Sequence, residues 1–134
     1  MNEPLRSLVR ERAGDRCEYC LLLQAESPTT HPIDHVIAVQ HGGRSVPEYL
    51  ALACLECNSH KGPNVAGFDP ETDLLVRLFH LHVDDWEQHF HWDGPILVGL
   101  TDIGCATIRV LAINRSERVL HRELLIEEGV FPPE

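Results

Sequence analysis

The chain lacks any long hydrophobic run. No apolar stretch approaches the roughly 18–20 residues that a membrane-spanning helix needs, which argues against a helical membrane protein. The N-terminal segment, residues 1–14, is charged and amphipathic and has no apolar core of the kind found in signal peptides. We therefore expect a cytoplasmic protein, in a compartment where thiols stay reduced.

Positive charge is also scarce. The 134 residues carry 11 Lys and Arg against 21 Asp and Glu, a formal net charge of -10, which argues against a protein that binds nucleic acid by charge alone. The deficit is uneven, because residues 1–67 carry 6 basic and 8 acidic side chains and residues 68–134 carry 5 and 13. The first half, at -2, is therefore the better candidate for contact with nucleic acid, and the second half, at -8, is an acidic extension.

Apolar residues make up 43% of the chain, which is enough for a packed core and argues against disorder. A chain of this length is most simply one domain. We therefore expect a single domain over residues 1–134, with a functional core over residues 1–67 and the acidic extension, residues 68–134, packed on that core.

Four of the five cysteines form two Cys-x-x-Cys pairs, Cys17/Cys20 and Cys54/Cys57. In a reducing compartment such pairs favour a metal over disulfides, and four thiolates make a closed, structural zinc site. The alternative is two buried or redox-active pairs, but the first pair lacks the βαβ surroundings of a redox motif. The pairs therefore predict a structural Zn²⁺ ion, with the intervening segment inserted between two zinc knuckles.

The pattern around these pairs predicts a short helix, two strands and a second helix. Residues 4–13 carry an apolar stripe at helical spacing, and Gly14 suits the end of that helix. Residues 33–39 are a predicted strand that leads into a Gly-Gly turn, residues 50–53 are a second strand, and residues 56–61 are a helix. The arginines on or near the first helix form either a solvated face or a face that contacts phosphate.

The second half of the chain predicts a small sheet and two helices. Residues 74–83 and 96–98 are predicted strands, and residues 101–113 and 116–128 are predicted helices. Four histidines in this half alternate with apolar residues, and they are either edge and interface residues or, less simply, a second metal site. They are His80, His82, His89 and His91.

Asp34 and His35 lie side by side at the start of the first predicted strand, and Asn58 directly follows the last paired cysteine. Phosphodiester hydrolysis needs an activated water and a cation that offsets charge on the phosphate. Asp34 and Asn58 offer the oxygen ligands that Mg²⁺ or a similar ion prefers, and His35 can accept a proton from water. His60 is either a further ligand of the cation or a surface residue. The candidate phosphate and DNA contacts are Lys61, Arg16 and Arg44.

Two segments, IDHVIAVQHGG over residues 33–43 and EYLALACLECNSHKG over residues 48–62, resemble the HNH endonucleases. The resemblance is closest to small bacterial HNH proteins whose hairpin has a Cys-x-x-Cys pair on each side. It implies a ββα-metal finger that cuts DNA with a divalent cation. It also extends over most of the chain through short matches. They are residues 67–70, 78–80, 86, 89–90, 92 and 99–101.

Carried onto this chain residue by residue, the resemblance implies that His35 is the general base and that Asp34 and Asn58 bind the divalent cation. The chain differs from the family at two positions. Tyr49 stands where the family usually has Asn before the leucine, and Cys105 stands where relatives more often carry Arg. We interpret Cys105, an unpaired cysteine on an apolar helix face, as a small core residue.

We therefore expect an α+β fold with an N-terminal helix, a Cys₄ zinc site, the ββα hairpin, a small sheet and two C-terminal helices. The first hypothesis is an endonuclease that cuts DNA with structural Zn²⁺ and catalytic Mg²⁺ or Mn²⁺. The second, favoured by Tyr49 and the acidic charge, is a zinc-stapled HNH-like module that binds nucleic acid or protein without cutting. The third hypothesis is a redox or zinc-sensing protein, and it gives Asp34 and His35 no role. The acidic extension would pack away from DNA, or bind a protein partner or a second copy of the chain.

Overall fold

The computed structural model describes residues 2–133, and the chain divides into two compact units. Unit 1 is Met1–Val65 and unit 2 is Ala66–Glu134. Helices and small antiparallel sheets are combined in the chain, so the predicted α+β class is confirmed. The predicted packing of residues 68–134 on the core stays a prediction. No helix within the described residues is both long and apolar enough to cross a membrane.

The described part of unit 1 contains two α-helices, a two-stranded antiparallel sheet and three short 3₁₀ helices in the connecting segments. In chain order the α-helices and strands are α1 (Glu3–Ala13), β1 (Ile33–His35), β2 (Leu50–Leu52) and α2 (Leu55–Lys61). The two strands pair so that Asp34 lies opposite Ala51. The order of helix, strand, strand and helix is the predicted one.

The first helix ends at the glycine that its sequence predicts, and it begins one residue earlier than predicted, at Glu3. The side chain of Asn2 accepts a hydrogen bond from the first turn, and Gly14 ends the helix with a φ of 66°, a left-handed conformation that favours glycine. Val9 and Ala13 are buried in one cluster with the two leucines of β2. The apolar stripe of α1 therefore packs on the second strand of the hairpin.

Two arginines of α1 bind the protein's own backbone. The guanidinium of Arg12 donates to the carbonyl oxygens of Pro47, at 2.8 Å, and Leu50, at 2.6 Å. The guanidinium of Arg10 donates to the carbonyl oxygen of His31 at 3.0 Å. Hydrogen bonds from charged groups contribute about 1.5–3 kcal/mol each. These two residues therefore hold α1 to the hairpin, which is neither of the two roles that the sequence suggests.

The first strand is shorter than predicted. It ends at His35, and the predicted strand over residues 33–39 is wrong for its second half. Beyond the strand, the carbonyl oxygen of Ala38 accepts hydrogen bonds from the backbone N–H groups of His41 and Gly43. The N–H of Val36 still donates to the carbonyl oxygen of Tyr49, and local turn bonds replace pairing between the strands only after that residue.

The described part of unit 2 contains two antiparallel hairpins and three helices. The hairpins are β3 (Ala66–Phe68) with β4 (Leu75–Arg77), and β5 (Phe90–Asp93) with β6 (Ile96–Gly99). The helices are α3 (Trp86–His89), α4 (Asp102–Val110) and α5 (Ser116–Glu127). The strand over residues 96–98 and both C-terminal helices are predicted correctly, whereas the predicted strand over residues 74–83 is strand for three residues.

The fourth helix begins where the sequence predicts and ends three residues early. The Oγ1 atom of Thr101 accepts a hydrogen bond from the N–H of Gly104 and caps the start. At the other end Ala112 has a φ of 51°, and the buried guanidinium of Arg118 donates to the carbonyl oxygens of Leu111 and Ala112. An arginine on α5 therefore binds the carbonyls at the end of α4.

Candidate active site and metal centre

The four paired cysteines meet in the interior of unit 1. Cys17 and Cys20 lie in the segment after α1, Cys54 precedes α2, and Cys57 lies in the first turn of α2. All four side chains are buried, and their sulfur atoms lie within 4.8 Å of one another. The Sγ atoms of Cys20 and Cys54 are 3.7 Å apart. Thiolates about 2.3 Å from a tetrahedral ion would be about 3.8 Å apart, so the arrangement fits a zinc ion.

The surroundings of these sulfurs favour a bound cation. The N–H of Cys20 donates to the Sγ of Cys17, and the N–H of Cys57 donates to the Sγ of Cys54. Burial is the main cause that raises the pKa of the Cys17 and Cys57 thiols well above its ordinary value. A metal ion reverses this effect, because a coordinating thiol loses its proton. The four cysteines are positioned to bind a metal ion, and their donor set fits zinc.

Tyr19, between the first two cysteines, binds the carboxylate of Asp34. The phenol hydroxyl donates to Oδ2 of Asp34 at 3.0 Å. The ammonium of Lys61 lies 3.4 Å from Oδ1 and 3.3 Å from Oδ2 of the same carboxylate. This ammonium also donates to the carbonyl oxygen of His35 at 3.1 Å. Tyr19 and Lys61 are 1% exposed and Asp34 is 5% exposed, so the three side chains form a buried network.

Burial and the two partners act on Asp34 in opposite directions. Burial raises the pKa of the carboxyl group, and the Lys61 ammonium and the Tyr19 hydroxyl offset part of that rise. The net direction is upward, so the charged carboxylate is not fully compensated by these two donors. A carboxylate accepts at about four lone-pair positions, which leaves room for a further cation. Such an environment suits a metal ligand as well as a structural ion pair.

The position of Lys61 corrects its predicted role. A phosphate contact needs an ammonium at the surface, whereas this side chain is buried and directs its charge at Asp34 and its N–H groups at the hairpin backbone. Removing one partner of a buried ion pair costs about 3–5 kcal/mol. Lys61 therefore stabilises the hairpin from within, and it does not lie where DNA could reach it.

Asp34, His35 and Asn58 border one open cleft of about 340 Å³. The remaining lining residues come from β1, the turn after β1 and the end of α2. They are Ile33, Ala38, Val39, Gln40, Gly62 and Pro63. Adjacent strand residues ordinarily face opposite sides of a sheet, and here both border the cleft at the point where β1 ends. The residues that the sequence suggests as base and cation ligands thus lie around a single cleft.

Ser45 is a neighbour of His35 that no sequence pattern indicates. The Nε2 atom of His35 lies 2.9 Å from the Oγ atom of Ser45, and the tautomer of the ring sets which atom donates. Ser45 is exposed and lies in the loop between the two strands. Residue type and spacing do not distinguish it from an ordinary loop serine, so only the folded hairpin could show this contact.

The other residues predicted to contact phosphate or the cation differ in how exposed they are to solvent. Arg44 is exposed, and its guanidinium carbon lies 5.6 Å from the centre of the Tyr49 ring. Arg16 is half-buried, and its backbone pairs with Leu23 in an isolated bridge. His60 is exposed and is not among the described residues that line the cleft. Tyr49, at the position usually held by Asn, therefore supports an arginine at the surface of the hairpin loop.

Three of the four alternating histidines of unit 2, His80, His82 and His89, take part in local hydrogen bonds. Asp84 binds both Nη atoms of Arg77, at 2.7 and 2.8 Å, and accepts a hydrogen bond from the backbone N–H of His80. The Nδ1 atom of His89 lies 2.6 Å from Oγ1 of Thr101. Among the described residues, the four cysteines are the one group of three or more Cys, His, Asp or Glu side chains that converges as a metal site requires. The alternative of a second metal site is therefore not supported.

Cys105, the unpaired cysteine, is half-buried on α4, with its Sγ atom 3.6 Å from the carbonyl oxygen of Gly99. A Cβ atom at Gly99 would lie 2.7 Å from this sulfur, so the close approach of β6 and α4 requires glycine there. Burial raises the pKa of the Cys105 thiol. The residue is therefore a packing residue and not a reactive thiolate.

A family model described as HNH endonuclease matches residues 17–64. The matched segment begins at the first cysteine of the metal site, contains both strands of the hairpin and ends just after α2. No curated protein and no solved structure gives a significant match to the chain. The family match, the converged cysteines and the α+β hairpin agree with one another, and residues 17–64 accordingly form a domain of the HNH endonuclease family.

Proposed function

We propose that the chain is a metal-dependent endonuclease that hydrolyses DNA phosphodiester bonds. The observation that carries the proposal is the cleft in unit 1, which Asp34, His35 and Asn58 of the HNH domain border together. Its volume of about 340 Å³ is within the usual range of ligand sites. The cleft is open, as a site for a polymer must be.

His35 is the general base in this proposal. This role requires the tautomer in which Nε2–H donates to the Oγ atom of Ser45, 2.9 Å away, so that Nδ1 is free to accept a proton from the attacking water. An imidazole held in one orientation presents its lone pair to the water far more effectively than a freely rotating one. Ser45 supplies this restraint from the loop, and the backbone of β1 supplies it from the sheet.

Asp34 and Asn58 hold the catalytic cation. Their oxygens are hard ligands of the kind that Mg²⁺ and Mn²⁺ prefer, and the Asp34 carboxylate keeps lone pairs beyond those that Tyr19 and Lys61 use. A divalent ion bound there supplies positive charge that offsets the charge developing on phosphate. His60 is exposed and outside the residues that line the cleft, so the proposal rests on Asp34 and Asn58.

The four cysteines hold a structural Zn²⁺ ion in the same proposal. Tetrahedral sites of four thiolates are typical of zinc, and such sites have no open position for substrate. The four residues therefore take no part in the chemistry. Their role is to join the segment that follows α1 to the start of α2, on either side of the hairpin in the chain.

DNA is the proposed partner of unit 1. The net charge of -2 over residues 1–67 makes this half of the chain far less repulsive to phosphate than residues 68–134, at -8. Arg44, exposed in the hairpin loop, and Arg16 are the proposed phosphate contacts. The acidic unit 2 would bind a protein partner or a second copy of the chain, and not DNA.

Cleavage of supercoiled plasmid tests the nuclease. Zinc-loaded protein is incubated with EDTA, Mg²⁺, Mn²⁺ or Ni²⁺, and the wild type is compared with His35→Ala and with His91→Ala, which removes an exposed histidine of unit 2. We expect nicking with Mg²⁺ or Mn²⁺ and none with EDTA. Loss of the base should lower the rate by about 100-fold or more, and His91→Ala should cut at the wild-type rate.

Two results would count against the proposal. Nicking that persists unchanged in His35→Ala would remove His35 as the base. A folded, zinc-loaded wild type that nicks with none of the metals would remove the nuclease activity itself.

Two observations favour a second function, an HNH-like module that binds nucleic acid or protein without cutting. Tyr49 stands where the family usually has Asn, and the Asp34 carboxylate already has the Lys61 ammonium as an ion-pair partner inside the protein. In that case a gel-shift assay would show DNA binding by wild type and His35→Ala alike, with no cleavage by either. A protein partner recovered without any DNA binding would favour the protein-binding form of this module.

A further inference from the structure

We propose that Tyr19 is a positioning residue for the catalytic cation, and that it acts through Asp34. The inference rests on the nuclease function proposed above and adds a residue to its machinery. Tyr19 touches neither substrate nor cation in this account. It holds the carboxylate that would bind the cation, and it links that carboxylate to the cysteine cluster.

Both donors to Asp34 are built on the segments that carry the cysteines. Tyr19 lies between the two cysteines of the first pair, so the metal site constrains its backbone on both sides. Lys61 lies four residues after the last paired cysteine, about one helical turn further along α2. When the four sulfurs converge on one ion, the hydroxyl and the ammonium therefore converge on the same carboxylate.

Glu18 ties this segment to the hairpin as well. Its backbone N–H donates to the carbonyl oxygen of Leu52 at 2.8 Å, and its carboxylate accepts a hydrogen bond from the N–H of Leu52, also at 2.8 Å. Leu52 lies on β2, the strand paired with the one that carries Asp34. The residue next to Tyr19 is thus held to the sheet, and the position of the phenol hydroxyl relative to Asp34 is set by backbone contacts.

The contact between Tyr19 and Asp34 is strong enough to position the carboxylate. It joins a hydroxyl to a carboxylate at 3.0 Å, and both residues are at least nine-tenths buried, so water cannot easily replace the donor. With Oδ2 held by Tyr19, the remaining lone pairs of the carboxylate keep a constant direction. Partners that hold a metal ligand in this way typically change metal affinity by about 10–100-fold.

Binding of Mn²⁺ without DNA tests the inference. The free Mn²⁺ signal is followed by electron paramagnetic resonance in titrations of zinc-loaded wild type, Tyr19→Phe and Val9→Ala. The Mn²⁺ ion bound in the cleft is identified as the one that Asn58→Ala no longer binds. This variant therefore distinguishes the cleft site from weak Mn²⁺ binding elsewhere on an acidic protein. Val9→Ala is the matched control, because it removes core packing in α1 and lies outside the Asp34 network.

We expect Tyr19→Phe to weaken this Mn²⁺ site by about tenfold while the zinc content stays at one ion per chain. Val9→Ala should lower thermal stability and leave the Mn²⁺ affinity within about twofold of wild type. The inference is overturned when Tyr19→Phe binds Mn²⁺ as tightly as wild type or more tightly. It is also overturned when Val9→Ala weakens the site as much as Tyr19→Phe does.

A second measurement applies when Tyr19→Phe does not fold with zinc. The chain has two tyrosines, so the ring signals of Tyr19 can be assigned in wild-type protein labelled with ¹³C-tyrosine. Titration with Mg²⁺ should shift the Tyr19 signals with the same dissociation constant as the side-chain amide of Asn58. Tyr19 signals that do not move would overturn the inference.

These results separate the inference from the proposed function. If Tyr19→Phe weakens the Mn²⁺ site but the wild type cuts no plasmid, the inference stands and the nuclease proposal fails. If the wild type cuts plasmid but Tyr19→Phe has unchanged Mn²⁺ affinity, the nuclease proposal stands and the inference fails. If no Mn²⁺ site of the wild type is lost in Asn58→Ala, both the inference and the assignment of the cation ligands fail.

Discussion

The Nε2 atom of His35 lies 2.9 Å from the Oγ atom of Ser45, ten residues further along the chain in the loop between the two hairpin strands. An imidazole has two ring nitrogens, and when Nε2 is the donor to the serine, Nδ1 is left to accept a proton. In that tautomer the contact with Ser45 directs Nδ1 of the proposed base to the water.

Replacing Ser45 with Ala should lower kcat for cleavage by about 2- to 10-fold, because one hydrogen bond is worth about 0.5–1.5 kcal/mol. KM for DNA should change little. Ser45→Thr keeps the hydroxyl and should restore most of the rate. Single-turnover cleavage measures the loss, and ¹⁵N shifts of the His35 ring report the tautomer. Equal rates and the same tautomer in all three proteins would contradict the role of Ser45.

Replacing Lys61 with Met should destabilise unit 1 by about 3 kcal/mol, because Asp34 would keep a buried charge without its cation. The double variant Asp34→Asn/Lys61→Met should recover part of the loss. Urea unfolding followed by circular dichroism measures the change. The control is Arg6→Met, which removes an exposed cation of α1 and should cost no more than about 0.5 kcal/mol. If Lys61→Met has normal stability but binds DNA more weakly, Lys61 is instead the phosphate contact that the sequence predicts.

Removal of zinc should unfold unit 1. The four sulfurs come from two segments that converge on the hairpin, and the binding free energy of such a site contributes directly to folding. A strong chelator should therefore abolish the helical signal of α1 and α2. Both tryptophans, Trp86 and Trp92, lie in unit 2, so their fluorescence reports that unit separately. A helical signal that is unchanged by the chelator at full zinc release would show that the metal site is not needed for the fold.

Acid should weaken unit 2 through Asp84. The paired guanidinium of Arg77 lowers the pKa of the Asp84 carboxyl to about 2, from an ordinary value of 3.8. Because the folded-state pKa is the lower one, the stabilisation is complete above pH 4 or so and is lost as the pH falls through about 2. The Arg77 side chain is 51% exposed, so solvent screens the pair and we expect about 1 kcal/mol.

The comparison of Asp84→Asn with wild type isolates this contribution. The variant should unfold about 1 kcal/mol more easily at pH 6, and the difference should shrink toward zero near pH 2. Thermal unfolding followed by tryptophan fluorescence between these pH values measures it. A difference that stays constant over the whole range would mean that the Asp84 carboxylate does not stabilise unit 2 through its charge.

Two helix ends could be predicted from sequence because short segments determine them. The end of α1 depends on Gly14, and the start of α4 depends on Thr101, each through contacts within a few residues. Strand lengths could not be predicted in the same way. The strand that begins at Ile33 has the residue types of a longer strand, but it continues only as far as β2 is there to pair with it.

The chemistry of the proposed site was suggested by the residues alone, because two Cys-x-x-Cys pairs, an Asp-His pair and an Asn after the last cysteine are typical of metal and proton chemistry. The pattern did not show which side chains are buried or which distant residues contact each other. By sequence Lys61 is typical of a surface cation, but in the structure it is buried against Asp34, 27 residues earlier. By sequence Ser45 is an ordinary loop serine, but in the structure it contacts His35. Burial and long-range pairing arise only when distant segments pack together, so the folded chain alone could assign them.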